Sequence, residues 1–400
     1  MDESTDMTAQ ERRASVSLAL IFALRMLGLF LVLPVFAIEA RHYPGGDDAA
    51  LVGLTMGIYG LTQGLMQLPF GLASDRWGRK QVIVLGLVVF FAGSVCAALA
   101  TSLTGLMVGR AIQGAGAVSA AVTALLADLT RDQVRTKAMA LIGASIGLMF
   151  AISLVMSPLL DSWLGLSGLF SLTAVLTIAG IAVVVWLVPP QPLQHKDAER
   201  GGLWLVLQTP ALMRLNVGVF ILHAVQLSMW VAIPALLVQA GLPKDLHWRI
   251  YLPAVLGSFF LMGGLFALER RGYLRVVFLS AIGLIAIVQL AFMMMVGTNL
   301  SLLQMGGLLF AFFCGFNILE ATQPSLVSRY APAHSRGAAM GVYNTLQSLG
   351  LFVGGAMGGR LIKNYDPPAL FLVCAILMGL WLVLAWNMQT ILPRNAQKTA

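Results

Sequence analysis

The chain has 400 residues, of which 58% are hydrophobic and 10% are charged, and its formal net charge is +8. Soluble proteins carry roughly 25% charged residues, so this composition excludes a soluble protein and indicates one that crosses a membrane many times. The basic residues have no soluble domain to carry them on one face, which excludes nucleic-acid binding.

Twelve apolar runs are long enough to cross a bilayer as helices, which requires roughly 20 residues each. The runs do not alternate as barrel strands do, so we predict an all-α membrane protein. An acidic polar stretch precedes the first run, and we therefore expect no cleavable signal peptide. The predicted spans cover residues 16–38, 50–73, 80–100, 103–127, 136–160, 166–188, 213–240, 247–269, 273–295, 298–328, 335–361 and 367–390.

The distribution of Lys and Arg predicts the orientation of the chain, because cytoplasmic loops carry an excess of these residues. With both termini in the cytoplasm, 18 of the 25 basic residues lie on the cytoplasmic side and five lie outside. The other two, Arg25 and Arg110, fall within the first and fourth spans. Membrane topology therefore explains the net positive charge.

The turn between the second and third spans is the most specific motif of the chain. Within ten residues it places two glycines and several acidic and basic residues in the order Gly71, Asp75, Arg76, Gly78, Arg79 and Lys80. The pattern resembles the Gly-x-x-x-Asp-Arg-x-Gly-Arg-Lys signature of the major facilitator superfamily. The resemblance implies 12 transmembrane helices in two pseudo-symmetric six-helix bundles.

The resemblance also implies that this turn closes the cytoplasmic side. Asp75 would cap the positive N-terminus of the eleventh span, which begins near Ser335. Arg79 would pair with Asp128 at the end of the fourth span, and Gly71 would let neighbouring backbones pass closely. The alternative is a loop that only sets topology, a role for which Asp75 is not needed.

Two cations lie within predicted spans of the first half, where ionisable side chains are costly and indicate function. Arg110, with Gln113, Gly114 and Gly116, resembles the fourth-helix signature of proton-driven superfamily members, which implies proton transfer or sensing of substrate charge. Arg25 has no such general counterpart and can also snorkel to the cytoplasmic surface. Together the two cations favour an anionic substrate group or a carboxylate across the cleft.

The fifth span departs from the pattern of the superfamily's antiporters, in which repeated glycines end in Gly-Pro-x-x-Gly-Gly. Gly143 and Gly147 are followed here by Ser157-Pro158-Leu159-Leu160-Asp161, without the closing glycines. The departure removes one argument for drug–proton antiport and leaves the assignment to a transporter intact.

The chain divides near its middle. A polar stretch over residues 189–212 interrupts the apolar runs, and we predict that it is a cytoplasmic linker between six-helix bundles at 1–188 and 213–400. A weak repeat relates the two halves, because residues 135–139 match 336–340 and residues 75–78 match 269–272. Parallel repeats of this kind are a known plan of transporters.

Glu320 is the acidic residue that lies well inside a span, the tenth, among apolar neighbours. A carboxyl group in such surroundings can load and release a proton. We therefore predict that Glu320 couples transport to protons, together with Arg110 and Arg25. The alternative is a structural ion pair or an interhelical hydrogen bond.

Polar and aromatic side chains of several spans are predicted to line a cleft between the halves. Tyr59 and Gln63 of the second span are echoed by Tyr343 and Gln347 of the eleventh, each pair at i, i+4 on one helical face. The alternative is polar packing between helices. The cavity candidates are Tyr59, Gln63, Gln113, His223, Gln226, Trp230, Asn317, Tyr343, Asn344 and Gln347.

The sequence offers no signal for a cofactor, a metal or an enzymatic reaction. Its three cysteines are far apart, its five histidines lack metal-ligand spacing, and it has no phosphate-binding Gly-rich loop. The chain resembles YajR-type bacterial transporters of the drug-efflux branch, which carry a small C-terminal soluble domain. Because the chain ends shortly after the twelfth span, we expect it to lack that domain.

Together these features predict a proton-coupled secondary transporter that works by alternating access and exports a small organic or drug-like molecule. The expected partners are that substrate, protons and the lipid bilayer, and we expect a monomer in the bacterial inner membrane. The alternatives are a uniporter or facilitator, or a membrane sensor or scaffold that has a transporter fold without flux. A membrane-embedded enzyme would need a catalytic cluster within the spans, and the sequence shows none.

Overall fold

The computed structural model describes residues 6–190, 203–268, 273–296, 298, 301–332 and 335–388. The repeat match at 269–272 and the middle of the predicted linker lie outside these ranges. The helices are α1 (Ala9–Glu39), α2 (Ala49–Trp77), α3 (Arg79–Ala98), α4 (Leu103–Ala115), α5 (Ser119–Asp128), α6 (Asp132–Ala182), α7 (Leu203–Gln208), α8 (Pro210–Gln239), α9 (Trp248–Leu268), α10 (Leu274–Met295), α11 (Leu302–Tyr330), α12 (Arg336–Asn364) and α13 (Pro367–Trp386).

Local sequence determines where several helices begin. Thr8 and Glu11 exchange side-chain and backbone hydrogen bonds at the start of α1, and Ser301 and Gln304 do the same at the start of α11. Asp48 caps α2 by accepting hydrogen bonds from two backbone amides of its first turn. Each cap satisfies amide groups that a helix leaves unpaired at its first turn.

Nine helices of the described residues are long and apolar enough to cross a membrane. One of them, Gln133–Leu187, has 55 residues and contains a break at Gly165, where φ is +63°. At 1.5 Å per residue it is about 80 Å long, roughly twice the thickness of a bilayer, so it contains two spans. The helices α9 and α12 are also long but do not meet the same criterion. The count of twelve therefore stays a prediction.

The predicted fourth span is not a single helix. It is divided into α4 and α5 by residues 116–118. Gly116 lies where an added Cβ would overlap the Gly86 carbonyl of α3, so the backbones of the two helices touch there. Glycine is a weak helix former, and the close approach excludes a larger residue, so the helix breaks at this point.

Each half packs mainly on itself. In the first half, α1 lies along α6, and α4 contacts both α2 and α3. In the second half, α8 packs on α12, α9 on α11, and α10 on α13. The halves meet where α2 contacts α12, α6 contacts α9, and α1 contacts α8. These pairings place a helix of each half on either side of a central seam.

The bundle has two ends, which we name by their charged loops. The Arg79 face holds the α2–α3 turn, the first residues of α1 and α8, and the last residues of α13, and the sequence predicts that it is cytoplasmic. The Lys244 face holds the α1–α2, α8–α9 and α12–α13 connections. Hydrogen bonds join separate helices at the Arg79 face, such as Lys80 Nζ to the Val188 carbonyl at 2.9 Å.

The backbones of α2 and α12 touch toward the Lys244 face. A Cβ added to Gly53 of α2 would overlap the Gly355 carbonyl of α12, and one added to Gly57 would overlap the Phe352 carbonyl. At the other end of α12, a Cβ added to Gly341 would meet no atom within 4 Å. The close contact of the two helices therefore lies toward the Lys244 face, and Gly341 takes no part in it.

Candidate functional site

Three polar side chains of the second half meet in the interior of the bundle. Gln347 of α12 donates from Nε2 to Glu320 Oε1 of α11 at 3.2 Å, and the same nitrogen lies 2.8 Å from His223 Nε2 of α8. His223 Nε2 lies 3.4 Å from Glu320 Oε2. The His223 side chain is 5% exposed, whereas that of Glu320 is 32% exposed. The cluster thus links a buried imidazole to a carboxylate that water can reach.

The hydrogen bonds of this cluster assign the tautomer of His223. Its Nδ1 lies 3.0 Å from the Val219 carbonyl, which can only accept, so Nδ1 carries a proton. In the neutral ring Nε2 then accepts from the Gln347 amide. A proton that arrives at Nε2 would compete with that amide, which would have to turn and present its oxygen. Proton occupancy and the orientation of Gln347 are therefore linked.

Aromatic rings surround the cluster and connect it to the first half. Phe316 lies 5.9 Å from the His223 ring, centroid to centroid, and stacks on Phe312 at 5.6 Å. Phe150 of α6 contacts Phe316 across the seam at 6.1 Å. These rings lower the local dielectric, which makes the charge state of Glu320 and His223 energetically important.

A second cluster lies within the first half, around Tyr59 of α2. Arg25 of α1 donates from Nη2 to the Tyr59 hydroxyl at 2.7 Å and from Nη1 to Ser119 at 3.3 Å. The Arg110 guanidinium of α4 lies over the Tyr59 ring, 5.0 Å from its centroid, and the Arg25 guanidinium lies 5.4 Å from the centroid of Phe90. Both arginines are 2% exposed, so neither snorkels to a surface.

Neutral acceptors hold Arg110. It donates to the Met56 carbonyl and to Gln113 Oε1, each at 3.3 Å, and Gln113 donates in turn to Ser94 at 2.8 Å. Within the described part of the chain, neither Arg110 nor Arg25 has a carboxylate at ion-pair distance, and the Nε of each is buried without a partner. Two full positive charges thus rely on aromatic faces and neutral oxygens.

The other cavity candidates are buried among helices. Asn317 donates to Ser258 of α9 at 2.9 Å, and Trp230 packs edge to face on Tyr251 at 5.5 Å. These contacts lie within the second half, as the contacts of Tyr59 lie within the first. Most of these side chains are buried and Asn344 is partly exposed; the set is Gln63, Gln226, Trp230, Asn317, Tyr343 and Asn344.

Sequence reasoning missed the serines that complete these clusters. Ser94, Ser119 and Ser258 each accept a hydrogen bond from a predicted site residue. Serine is common in membrane helices, where it bonds its own backbone, so its occurrence in an apolar run gives no signal of this role.

The charged turn at the Arg79 face is held by Arg79. Its Nε donates to Asp128 of α5 at 3.2 Å, its Nη1 donates to Ser74 at 2.7 Å, and it pairs with Asp75. Gly78 has φ +99°, a backbone conformation that favours glycine, and this explains why the turn has one there. Arg79 therefore joins the ends of α2 and α5.

Asp75 does not reach α12 within the described residues. Its side chain is 55% exposed, and Ser335, the N-cap residue of α12, makes no capping hydrogen bond with its side chain. Gly71 and Arg76 lie at the same turn without a described contact to the second half. The contact between Asp75 and α12 therefore stays a prediction.

The architecture and these buried charges define a class of protein, the membrane transporters built from two helical halves. The chain belongs to the Major Facilitator Superfamily, whose family model matches residues 18–355. It is a transport protein of that family and not an enzyme.

Known relatives agree with this assignment. The chain is 44% identical over 388 residues to the inner membrane transport protein YajR of Escherichia coli, covering 96% of this chain and 85% of YajR. It is 28% identical to the multidrug resistance protein MdtH of Aeromonas salmonicida, covering 87% of each. Its fold is similar to that of a D-xylose–proton symporter, with a TM-score of 0.76 at 15% identity over 93% of this chain and 97% of the symporter.

Proposed function

We propose that this protein is a proton-coupled secondary transporter that exports a small organic or drug-like molecule by alternating access. In this proposal it lies in the bacterial inner membrane as a monomer, with both termini in the cytoplasm and bundles at 1–188 and 213–400 joined by the 189–212 linker. The observation that carries the proposal is the cluster of Glu320, His223 and Gln347, a partly exposed carboxylate linked to a buried imidazole.

The cluster supports proton coupling because Glu320 and His223 contact the Gln347 amide through atoms that can also take up a proton. A proton on Glu320 removes the charge that the Gln347 amide stabilises, and a proton on His223 displaces that amide. A substrate that approaches the exposed carboxylate from the cleft would meet either a charged or a neutral surface. Binding of substrate and binding of a proton would then exclude each other, as export driven by proton entry requires.

The buried arginines, the charged turn at the Arg79 face and the known relatives support the other parts of the proposal. The buried Arg25 and Arg110 would hold the interior of the first half positive and would attract an anionic group of the substrate. Arg79 and Asp75, with Arg76, Gly71, Gly78, Lys80 and Asp128, would close the Arg79 face when Asp75 caps α12. The multidrug resistance proteins among the relatives support a drug-like substrate.

A reconstituted system tests this function. Purified protein is placed in liposomes that contain a pH-sensitive dye, and a panel of candidate compounds is added. We expect one or more compounds to trigger proton movement, and we expect Glu320→Gln to lower this flux at least about tenfold, or 1.4 kcal/mol in activation free energy. Asp366→Asn, a change of an exposed acid at the start of α13, serves as the matched control.

The outcomes separate the alternatives. Substrate movement without proton movement, unchanged by Glu320→Gln, would indicate a uniporter or facilitator. Binding of a compound without movement of any kind would indicate a sensor or scaffold. Proton flux that persists in the Glu320→Gln protein would contradict the role given to this carboxylate.

A further inference from the structure

A cluster of charges at the Lys244 face bridges the two halves. Lys244 lies in the short α8–α9 connection of the second half, and its Nζ pairs with Asp161 Oδ2 of α6 at 2.5 Å and with Glu39 at the end of α1. The Asp161 side chain is 0% exposed and that of Glu39 is 13% exposed. One ammonium of the second half thus ties together two carboxylates of the first.

A second ion pair crosses the seam on the same face. Lys363, in the last turn of α12, donates to Asp48 Oδ2 at 2.6 Å, and Asp48 is the cap of α2. This pair is more exposed, with the two side chains 49% and 38% accessible. Because surface pairs contribute little to stability, the buried Lys244 cluster carries most of the electrostatic attraction between the halves at this face.

The charges of the buried cluster do not balance. Glu39 and Asp161 are two acids around one ammonium, and His42 lies 3.6 Å from Glu39 with its side chain 72% exposed. Separation of the halves would remove Lys244 and leave two neighbouring carboxylates, which repel each other. The other titratable or charged side chains near Lys244 and Asp161 are Tyr43, Asp245 and His247.

Lys244 itself stays charged over the relevant pH range. Burial lowers the pKa of Lys244, but the hydrogen bonds with Asp161 and Glu39 raise it by more, so its net pKa lies above the usual lysine value. A group with a raised pKa loses its stabilising effect only when the pH rises through that value. Burial raises the pKa of Asp161 above its ordinary value, although the hydrogen bond with Lys244 lowers it. Departure of the ammonium removes that lowering influence, so a buried Asp161 binds a proton more tightly without Lys244, and acid favours the separated state.

We propose that Lys244, Glu39 and Asp161 form a lock that holds the halves together at the Lys244 face, and that Asp161 is a proton site whose proton replaces the Lys244 ammonium when this face opens. The inference rests on the alternating access proposed above. It also gives the departure of the fifth span a role, because Asp161 stands where the antiporter pattern has a glycine. In this chain a charge pair closes the face at that position.

The outer pair responds only to stronger acid. The hydrogen bond from Lys363 lowers the pKa of Asp48 below its ordinary value. A carboxylate with a lowered pKa stabilises the closed face above its ordinary pKa, and this effect is lost as the pH falls through the lowered value. At about pH 5 the outer pair therefore stays intact, and the proposed pH response belongs to Asp161.

Distance measurements between spin labels test the lock without a transport assay. Cysteines at Leu99 and Tyr365, which are 76% and 64% exposed, place one label on each half at the Lys244 face. Cys96 is replaced by serine, whereas Cys314 and Cys374 are buried. We expect a short distance at about pH 8 and a long-distance fraction that grows as the pH is lowered to about 5, because burial raises the pKa of Asp161 above its ordinary value.

Four variants test the residues of the lock. Lys244→Met and Asp161→Asn should raise the ratio of long to short distances at about pH 8 by at least about fivefold, the lower end of typical coupling between sites. Lys244→Arg should restore the short distance, and Asp245→Asn, a change of an exposed neighbour on the same connection, should leave it unchanged. Asp161→Asn should also abolish the pH response.

The results distinguish this inference from the proposed function. Parent-like distances in both Lys244→Met and Asp161→Asn would overturn the lock, whatever the liposomes show. A pH response that persists in Asp161→Asn would overturn the proton site. A lock that opens as described in a protein that moves no protons with substrate would support the inference and contradict proton-coupled export.

Discussion

At the residue scale, the cost of charge inside a membrane is the strongest guide to function. That cost identifies Arg25, Arg110 and Glu320 from the sequence alone. It does not identify their partners, because Gln347 and His223 are 124 residues apart and meet only through the packing of α8 on α12. Nor does that cost reveal that the Tyr59 hydroxyl accepts a hydrogen bond from Arg25 within the first half.

The Arg110→Lys variant tests whether transport needs only the positive charge of Arg110 or also its planar guanidinium group. Its guanidinium reaches the Met56 carbonyl and Gln113 together while it covers the Tyr59 ring. Lysine keeps the charge but cannot reproduce this planar set of contacts, so Arg110→Lys should lower the proteoliposome transport rate at least about tenfold. Arg12→Lys, at an exposed arginine without a proposed role, is the control. Parent-like transport in Arg110→Lys would show that only the charge matters.

At the scale of helices, the local sequence predicts where helices begin better than it predicts where a helix is interrupted. The capping residues Thr8, Asp48 and Ser301 mark helix starts that are visible in the sequence. The break between α4 and α5 is not visible as such, because it depends on how closely α3 approaches Gly116. Apolar runs are long whether or not the helix within them is continuous, so composition cannot reveal the interruption.

The contact of α2 with α12 gives a prediction at the same scale. Gly57→Ala places a methyl group against the Phe352 carbonyl, and overpacking of this kind costs about 1–3 kcal/mol. We expect a lower thermal unfolding midpoint and a label distance at the Lys244 face that lengthens at about pH 8. Gly283→Ala, at a glycine with no atom near its added Cβ, should change neither. Equal effects of the two variants would refute the importance of the contact.

At the scale of the whole molecule, the sequence predicts the fold and the family but not the conformation. The signature turn, the repeat and the length of the apolar runs are properties of the chain, and they predict two six-helix halves of a transporter. Which face is closed depends on a balance between two arrangements that differ by a few kcal/mol. The same sequence supports both, so no residue pattern can reveal that the halves touch at the Lys244 face.

The signature turn should matter when the opposite arrangement forms. If Asp75 caps α12 when the Arg79 face closes, Asp75→Asn removes the charge that interacts with the helix N-terminus and weakens that state by up to about 1 kcal/mol, or roughly fivefold. We expect a correspondingly slower transport rate at an unchanged level of membrane-inserted protein. Asp6→Asn, a change of an exposed acid on the same face, is the comparison. Full activity of Asp75→Asn would contradict the closing role of the turn.

The backbone contact between α2 and α12 has a consequence for the rate of transport. Where Gly53 and Gly57 face Gly355 and Phe352, few side chains interdigitate, so the helices can roll over each other without changing rotamers. The barrier to the conformational change then comes mainly from separating charges at the two ends of the bundle. Ionic strength and pH should therefore control how fast the protein turns over, more than viscosity or the packing of its interior.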